Sequence, residues 1–169
     1  MRYFWAGVIL GIVLLLLAGY TYLLLGGMSA RADRPPGHLE SYLALMAREA
    51  TLRREASPAS NPYPETDENL TDGMNVYVSN CANCHGTLDK RKSDFGLALN
   101  PPAPQFLFQP VGLSEQYLHF ITKHGIRWSG MPAWGKILSD RSIWEVSAFL
   151  ARLQKLPPAL KQQMPSPAS

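Results

Sequence analysis

Cysteine is scarce in this chain. Only Cys81 and Cys84 occur among its 169 residues. A disulfide between two such close positions would close a tiny loop and add little stability. Charge of one sign is also lacking. The formal net charge is +3 with a pI near 9.0, and acids and bases nearly balance between residues 66 and 157. A nucleic-acid-binding domain needs a clustered basic face, and none is present. One short basic run, Lys90-Arg91-Lys92, reads as a solvated loop or as a docking patch for an acidic partner. No internal repeat occurs, and no stretch has the pattern of a strand. A thioredoxin-like redox pair needs a βαβ setting, so that use of Cys81 and Cys84 is excluded.

Residues 3–25 lack charge altogether and read YFWAGVILGIVLLLLAGYTYLLL. As a helix this run is long enough to cross roughly 30 Å of hydrocarbon. Tyr3, Trp5, Tyr20 and Tyr22 stand near its ends, where aromatic rings favour lipid headgroups. A cleaved signal peptide has a shorter apolar core, of about 7–15 residues. Ala30-Arg31-Ala32 resembles a cleavage site, but the length favours an uncleaved anchor. No cysteine adjoins the run, which argues against a lipoprotein. Arg2 lies on one side of it and Arg31 and Arg34 on the other, so arginine count leaves orientation open.

Four regions follow. Residues 1–30 are the transmembrane anchor. Residues 31–65 hold a juxtamembrane amphipathic helix and a Pro-rich linker. Leu39, Tyr42, Leu43, Met46 and Ala50 recur there at helical spacing, and 57–65 carry three prolines. Residues 66–157 are the compact domain, and 158–169 are expected to be a disordered tail. Within the domain, Thr66 or Asp67 caps a helix with Leu70, Met74, Tyr77 and Val78 on its apolar side. Ser114 caps a second helix that stops at Gly125. Ser139 or Asp140 caps a third, whose apolar residues are Ile143, Trp144, Val146, Phe149, Leu150 and Leu153. The class is all-α. Three short helices with long irregular loops make a thin core for some ninety residues, so something besides side chains is expected to fill it.

The first of those helices runs into NCANCHG, residues 80–86. Zinc is one reading, because Cys81-x-x-Cys84 and His119-x4-His124 have finger-like spacings. About thirty residues separate the pairs, roughly twice the usual gap, and His85 would be idle. C-x-x-C-H is also the attachment sequence for a c-type haem. Two thiols on one helical turn can both bond to the vinyl groups along one porphyrin edge. The following histidine then lies under the iron, with its second ring nitrogen donating to a backbone carbonyl. Pro101, Pro102 and Ala103 are candidates for that carbonyl.

The second axial ligand has four candidates: Met74, Met131, His119 and His124. Met74 reads as core, and the two histidines read as solvated. Met131 stands in GIRWSGMPAWG. Glycine before it allows close approach to a flat ligand, and proline after it restricts the backbone. Trp128 and Trp134 offer apolar walls whose N–H groups could reach haem propionates, and Arg127 could do so by charge.

CANCHG at 81–86, NPPAP at 100–104, GMPAWG at 130–135 and SIWEVSAFLARL at 142–153 together resemble class I, mono-haem c-type cytochromes of the membrane-anchored bacterial kind. The resemblance covers a little over half the chain. It implies one covalent haem c on Cys81 and Cys84, with His85 and Met131 as axial ligands. It implies that the first and last helices pack crosswise, with Gly73 and Tyr77 meeting Trp144 and Phe149. It also implies a haem domain on the periplasmic, extracytoplasmic side, because that is where the family's haem is attached.

The function this implies is single-electron transfer in a respiratory or photosynthetic chain. Partners are redox proteins and the membrane, with no nucleic acid and no small-molecule substrate. The protein is then not itself an enzyme. Phe106, Phe108, Met131 and Trp134 are candidates for an exposed haem edge. A free tethered shuttle and a fixed subunit of a larger complex both remain open, and the helix at 38–56 is more structure than a tether needs. The rival function is an open-haem sensor or peroxidase-like protein with Met131 displaced.

Overall fold

The computed structural model describes residues 1–27, 29–56 and 58–164. Among them every regular element is helical. The chain divides into two compact units, one ending at Arg34 and one beginning at Pro35.

The first unit is built on α1, Arg2–Leu24. Its mean hydropathy reaches 2.3 and none of that stretch is buried. At about 1.5 Å per residue it is some 34 Å long, enough to span a bilayer core. It is the one helix among the described residues long and apolar enough to do so.

The second unit opens with α2, His38–Glu55. The Gly37 N–H donates to the Glu40 carboxylate at 3.2 Å and starts this helix. Leu39, Tyr42, Leu43 and Met46 are exposed, as is Leu45. Leu52 is the helix's buried residue. The apolar residues expected on one face are therefore uncovered over its first half.

The Pro-rich segment, expected as a linker, also packs on the domain. Ser57 lies outside the described residues, but from Asn61 onward the segment is strapped to the helices. Arg152 pairs with Glu65 through two nitrogens, and its Nη1 donates to Glu115 at 2.8 Å. The Asn61 side-chain amide donates to Glu115 at 2.5 Å. Asn69 donates to the Pro64 carbonyl at 2.7 Å, and the Arg141 guanidinium lies 5.0 Å from the Tyr63 ring centre. Polar side chains far along the chain make this strap, so composition alone could not show it.

The domain helices start where expected. α3, Asp67–Asn80, is capped by the Thr66 hydroxyl, which accepts the Asn69 N–H. α4, Ala82–His85, and α5, Asp94–Leu97, are single turns. α6, Glu115–His124, is capped by Ser114 and ends at Gly125, and α7, Asp140–Arg152, is capped by Ser139. A 3-10 turn at Trp134–Lys136 precedes α7, and another at Leu153–Lys155 follows it.

α7 is the centre of the unit because α3 and α6 both pack on it. All six apolar residues expected on its face are buried. Glu145, Ser147 and Ala148 are buried as well, since two neighbours cover more than one face. Glu145 accepts from Arg141 at 2.7 Å, and the Ser147 hydroxyl donates to the Ile143 carbonyl at 2.6 Å. At the α3–α7 contact a Cβ on Gly73 would come 2.1 Å from the Glu145 carbonyl oxygen. Only glycine lets the two backbones approach so closely. Tyr77 and Phe149 meet there, with ring centres 5.8 Å apart. Trp144, expected at that contact, stacks on His119 of α6 at 3.9 Å.

The expected disordered tail is corrected in part. α8, Pro158–Gln163, folds back with Leu156 and Leu160 in the core. Proline suits the first turn of a helix, where its missing N–H has no partner to lose. Pro157-Pro158 thus ends one helix and starts another. Residues 165–169 of that tail lie outside the described residues.

Candidate functional site

Cys81 is at once the C-cap of α3 and the N-cap of α4. Its N–H donates to the Tyr77 carbonyl at 2.8 Å, and its carbonyl accepts the Cys84 and His85 N–H groups at 3.1 and 2.9 Å. One helical turn therefore carries both sulfurs and the imidazole. Both thiols are free, Cys81 buried and Cys84 half-buried. Burial, with a smaller push from Cys84, raises the Cys81 thiol to about 12. It stays protonated at neutral pH, unlike the acidic thiol of a dithiol redox centre.

His85 is buried and fixed from three directions. Its Nδ1 lies 2.8 Å from the Pro104 carbonyl oxygen. An oxygen acceptor at that distance requires the proton on Nδ1, which leaves a lone pair on Nε2. Burial lowers its pKa, while the bond to Pro104 works the other way, so the ring is neutral. The ring stacks on Phe106 with centres 4.4 Å apart and planes 5° from parallel. The His85 carbonyl accepts the Phe106 N–H at 3.1 Å. Tyr77, fully buried, donates its hydroxyl to the Gly86 carbonyl at 2.6 Å, with the His85 carbonyl at 3.2 Å.

The expected partner carbonyl was Pro101, Pro102 or Ala103. Pro104 takes that place, and Pro101 is exposed. The Ala103 N–H donates to Gly96 at 2.9 Å, so the segment is registered against α5 first. That register brings the later carbonyl to the imidazole.

Gln105 is a residue the sequence reading missed. It is buried, and its amide donates to the Cys84 and Ala103 carbonyls, each at 2.9 Å. Its oxygen accepts the Ser93 N–H at 2.9 Å. It thus ties the cysteine turn to the segment holding Pro104. The one signal is its place directly after NPPAP.

Met131 is half-buried in the loop between α6 and α7. Gly125, at φ +69°, lets that loop lie against α6: a Cβ there would sit 2.7 Å from the Met131 carbonyl oxygen. Gly130 packs on Leu99, in the segment leading to Pro104. The other expected site residues are less gathered. Trp128 is 86% exposed at the tip of a turn, not part of a packed wall. Arg127 is exposed, with its guanidinium 5.8 Å from the Trp128 ring centre. Trp134 is half-buried in its 3-10 turn. Met74 is core, as expected. His124 is exposed, and its ring lies against Phe120. His119 is not simply solvated, because it stacks on Trp144 and its Nε2 lies 3.1 Å from Asp140. In the basic run, Arg91 pairs with Asp89 at 2.7 Å and Lys92 sits 5.1 Å over the Phe108 ring.

Residues 68–150 match the family model for cytochrome c oxidase, cbb3-type, subunit III. They are a mono-haem c-type cytochrome domain. The match spans the domain from the first turn of α3 to the last turn of α7 and includes every ligand candidate. The cytochrome's own donor set fits a covalent haem c. It has two free thiols on one turn and a neutral imidazole whose only uncommitted nitrogen is Nε2. With α1 ahead of it, the cytochrome domain belongs to a membrane-anchored electron-transfer protein.

Proposed function

We propose that this cytochrome passes single electrons on the extracytoplasmic side of the membrane as a fixed component of a respiratory complex. The observation that carries the reading is the His85–Pro104 bond at 2.8 Å, which orients an imidazole beside two free thiols. Cys81 and Cys84 would hold the haem through thioethers, and His85 Nε2 and the Met131 sulfur would ligate its iron. When bound, haem c supplies one reversible one-electron site. The chain's own residues orient and shield. Pro104 fixes the imidazole tautomer, Phe106 holds the ring plane, and Gln105 keeps the cysteine turn in register. A rigid donor set changes shape little between oxidation states, which favours fast transfer. Arg127, Trp128 and Trp134 flank Met131 and are proposed to face the propionates. Exposed Phe108 and half-buried Phe106 would border the haem edge for brief contact with redox partners.

Two features support a fixed subunit over a free shuttle. The family model matched is that of an oxidase subunit. The uncovered apolar residues of α2, from Leu39 to Met46, suit contact with another membrane subunit. A native gel of gently solubilised membranes, stained for covalent haem and probed for this chain, tests the reading. Migration with a large assembly supports it, with that association lost when residues 38–56 are deleted. Migration alone with haem attached would make the protein a tethered shuttle. Absence of covalent haem would refute the attachment at Cys81 and Cys84.

A further inference from the structure

Three hydrogen bonds close a ring around Met131. The Met131 N–H donates to the Ser129 hydroxyl at 3.1 Å. That hydroxyl donates onward to the Ile126 carbonyl at 2.8 Å. The Ile126 N–H completes the ring by donating to the Met131 carbonyl at 3.1 Å. Ser129 supplies the only side-chain atom in it. A hydroxyl can both give and accept, and here it does both.

The turn inside the ring is not one the backbone favours unaided. The Ser129 N–H donates to the Ile126 carbonyl at 3.3 Å, which places Arg127 and Trp128 at the turn's centre. Trp128 has φ +57°. That conformation is ordinarily glycine's, and a bulky side chain there is strained. The closing bonds must therefore hold the turn. They also grip Met131 at both its amide and its carbonyl, so its side chain leaves from a fixed base.

We propose that Ser129 is a positioning residue for the Met131 thioether. Its hydroxyl locks the Met131 backbone so that little freedom is lost when the sulfur meets the haem iron. Without it the backbone amide loses its partner and the thioether competes less well for the iron. The inference rests on the proposed reading of Met131 as axial ligand.

The test uses the full-length, haem-loaded protein in detergent. The wild type, Ser129→Ala, Ser129→Thr and Met131→Ala are titrated with carbon monoxide in the reduced state, and their reduction potentials are measured. Carbon monoxide must displace the thioether, so its apparent affinity reports how firmly the sulfur is held. Ser129→Ala should raise that affinity by about tenfold, the loss of roughly one hydrogen bond's net contribution. It should also lower the potential, because thioether ligation favours the reduced iron. Ser129→Thr keeps the hydroxyl and should restore both. Unchanged affinity and potential in Ser129→Ala, with Met131→Ala opening the site, would overturn the role of Ser129 and leave the ligand reading intact. A wild type that takes carbon monoxide as readily as Met131→Ala would instead overturn the ligand reading and this inference with it. Hydrogen exchange on the wild type is independent of any variant's folding. The Met131 amide should exchange at least about tenfold more slowly than a free amide. Exchange at the free rate would overturn the ring.

Discussion

The Nδ1 of His85 and the carbonyl oxygen of Pro104 stand 2.8 Å apart. This contact decides the tautomer and the free lone pair of the imidazole, while the stack on Phe106 holds the ring plane. It depends on where the segment around Pro104 lies, and Gln105 sets that.

Gln105→Ala should therefore destabilise the cytochrome by about 2–4 kcal/mol, because backbone groups at Ser93, Cys84 and Ala103 lose a buried partner. Gln105→Glu should be worse. It keeps an acceptor for Ser93, loses both donors and buries a charge. Denaturant unfolding of the haem-loaded protein measures both, and equal stability of Gln105→Ala and wild type would refute the bridging role.

Gly73→Ala should disrupt the α3–α7 contact. The added carbon would sit 2.1 Å from the Glu145 carbonyl oxygen and 3.0 Å from Phe149 Cβ, and backbone cannot give way as a side chain can. A loss of about 3 kcal/mol or more is expected. The same substitution at Gly37, where a Cβ would meet nothing within 4 Å, is the control. Thermal unfolding followed by helix signal distinguishes them.

His119 should titrate below the ordinary histidine value. Burial against Trp144 lowers its pKa, more than Asp140 raises it. The unfolded chain then binds this proton at a higher pH than the folded one. The stability linked to His119 is present above about pH 6.5 and is lost as pH falls through the lowered folded value. Following the ring resonances by NMR checks the midpoint. A value above 6.5 would mean that Asp140 wins.

Arg152→Ala should free the strap. Arg152 joins Glu65 of the segment after α2 to Glu115 of α6, and pairing with Arg152 holds the Glu65 carboxyl below its usual range. Limited proteolysis between residues 58 and 65 should speed up. Stability should fall by about 1 kcal/mol, the scale of a part-exposed ion pair. Because the Glu65 pKa is lowered on folding, acid should loosen the same strap as pH drops below the ordinary carboxylate value.

The helices were readable because local rules govern them. Thr66, Ser114 and Ser139 cap where a hydroxyl before an apolar-periodic run should. Cys81, Cys84 and His85 share a turn because a C-x-x-C-H spacing on a helix leaves no other arrangement. The burial of Ile143 and Phe149 follows from their periodicity. α8 was missed because Pro157-Pro158 obeys two rules at once, stopping one helix and starting the next.

By itself the sequence determined the apolar span, the helical class, the attachment motif and the methionine loop, all of which rest on neighbours within a few residues. Only the tertiary structure decided that Pro104 rather than Pro101 meets His85 and that Gln105 bridges three backbone groups. The same holds for the stacking of Trp144 on His119 and for Arg152 strapping down the segment after α2. Each joins positions far apart in the chain. A glutamine, a proline carbonyl or an arginine carries no mark of its partner until packing of α3 and α6 on α7 brings the two together.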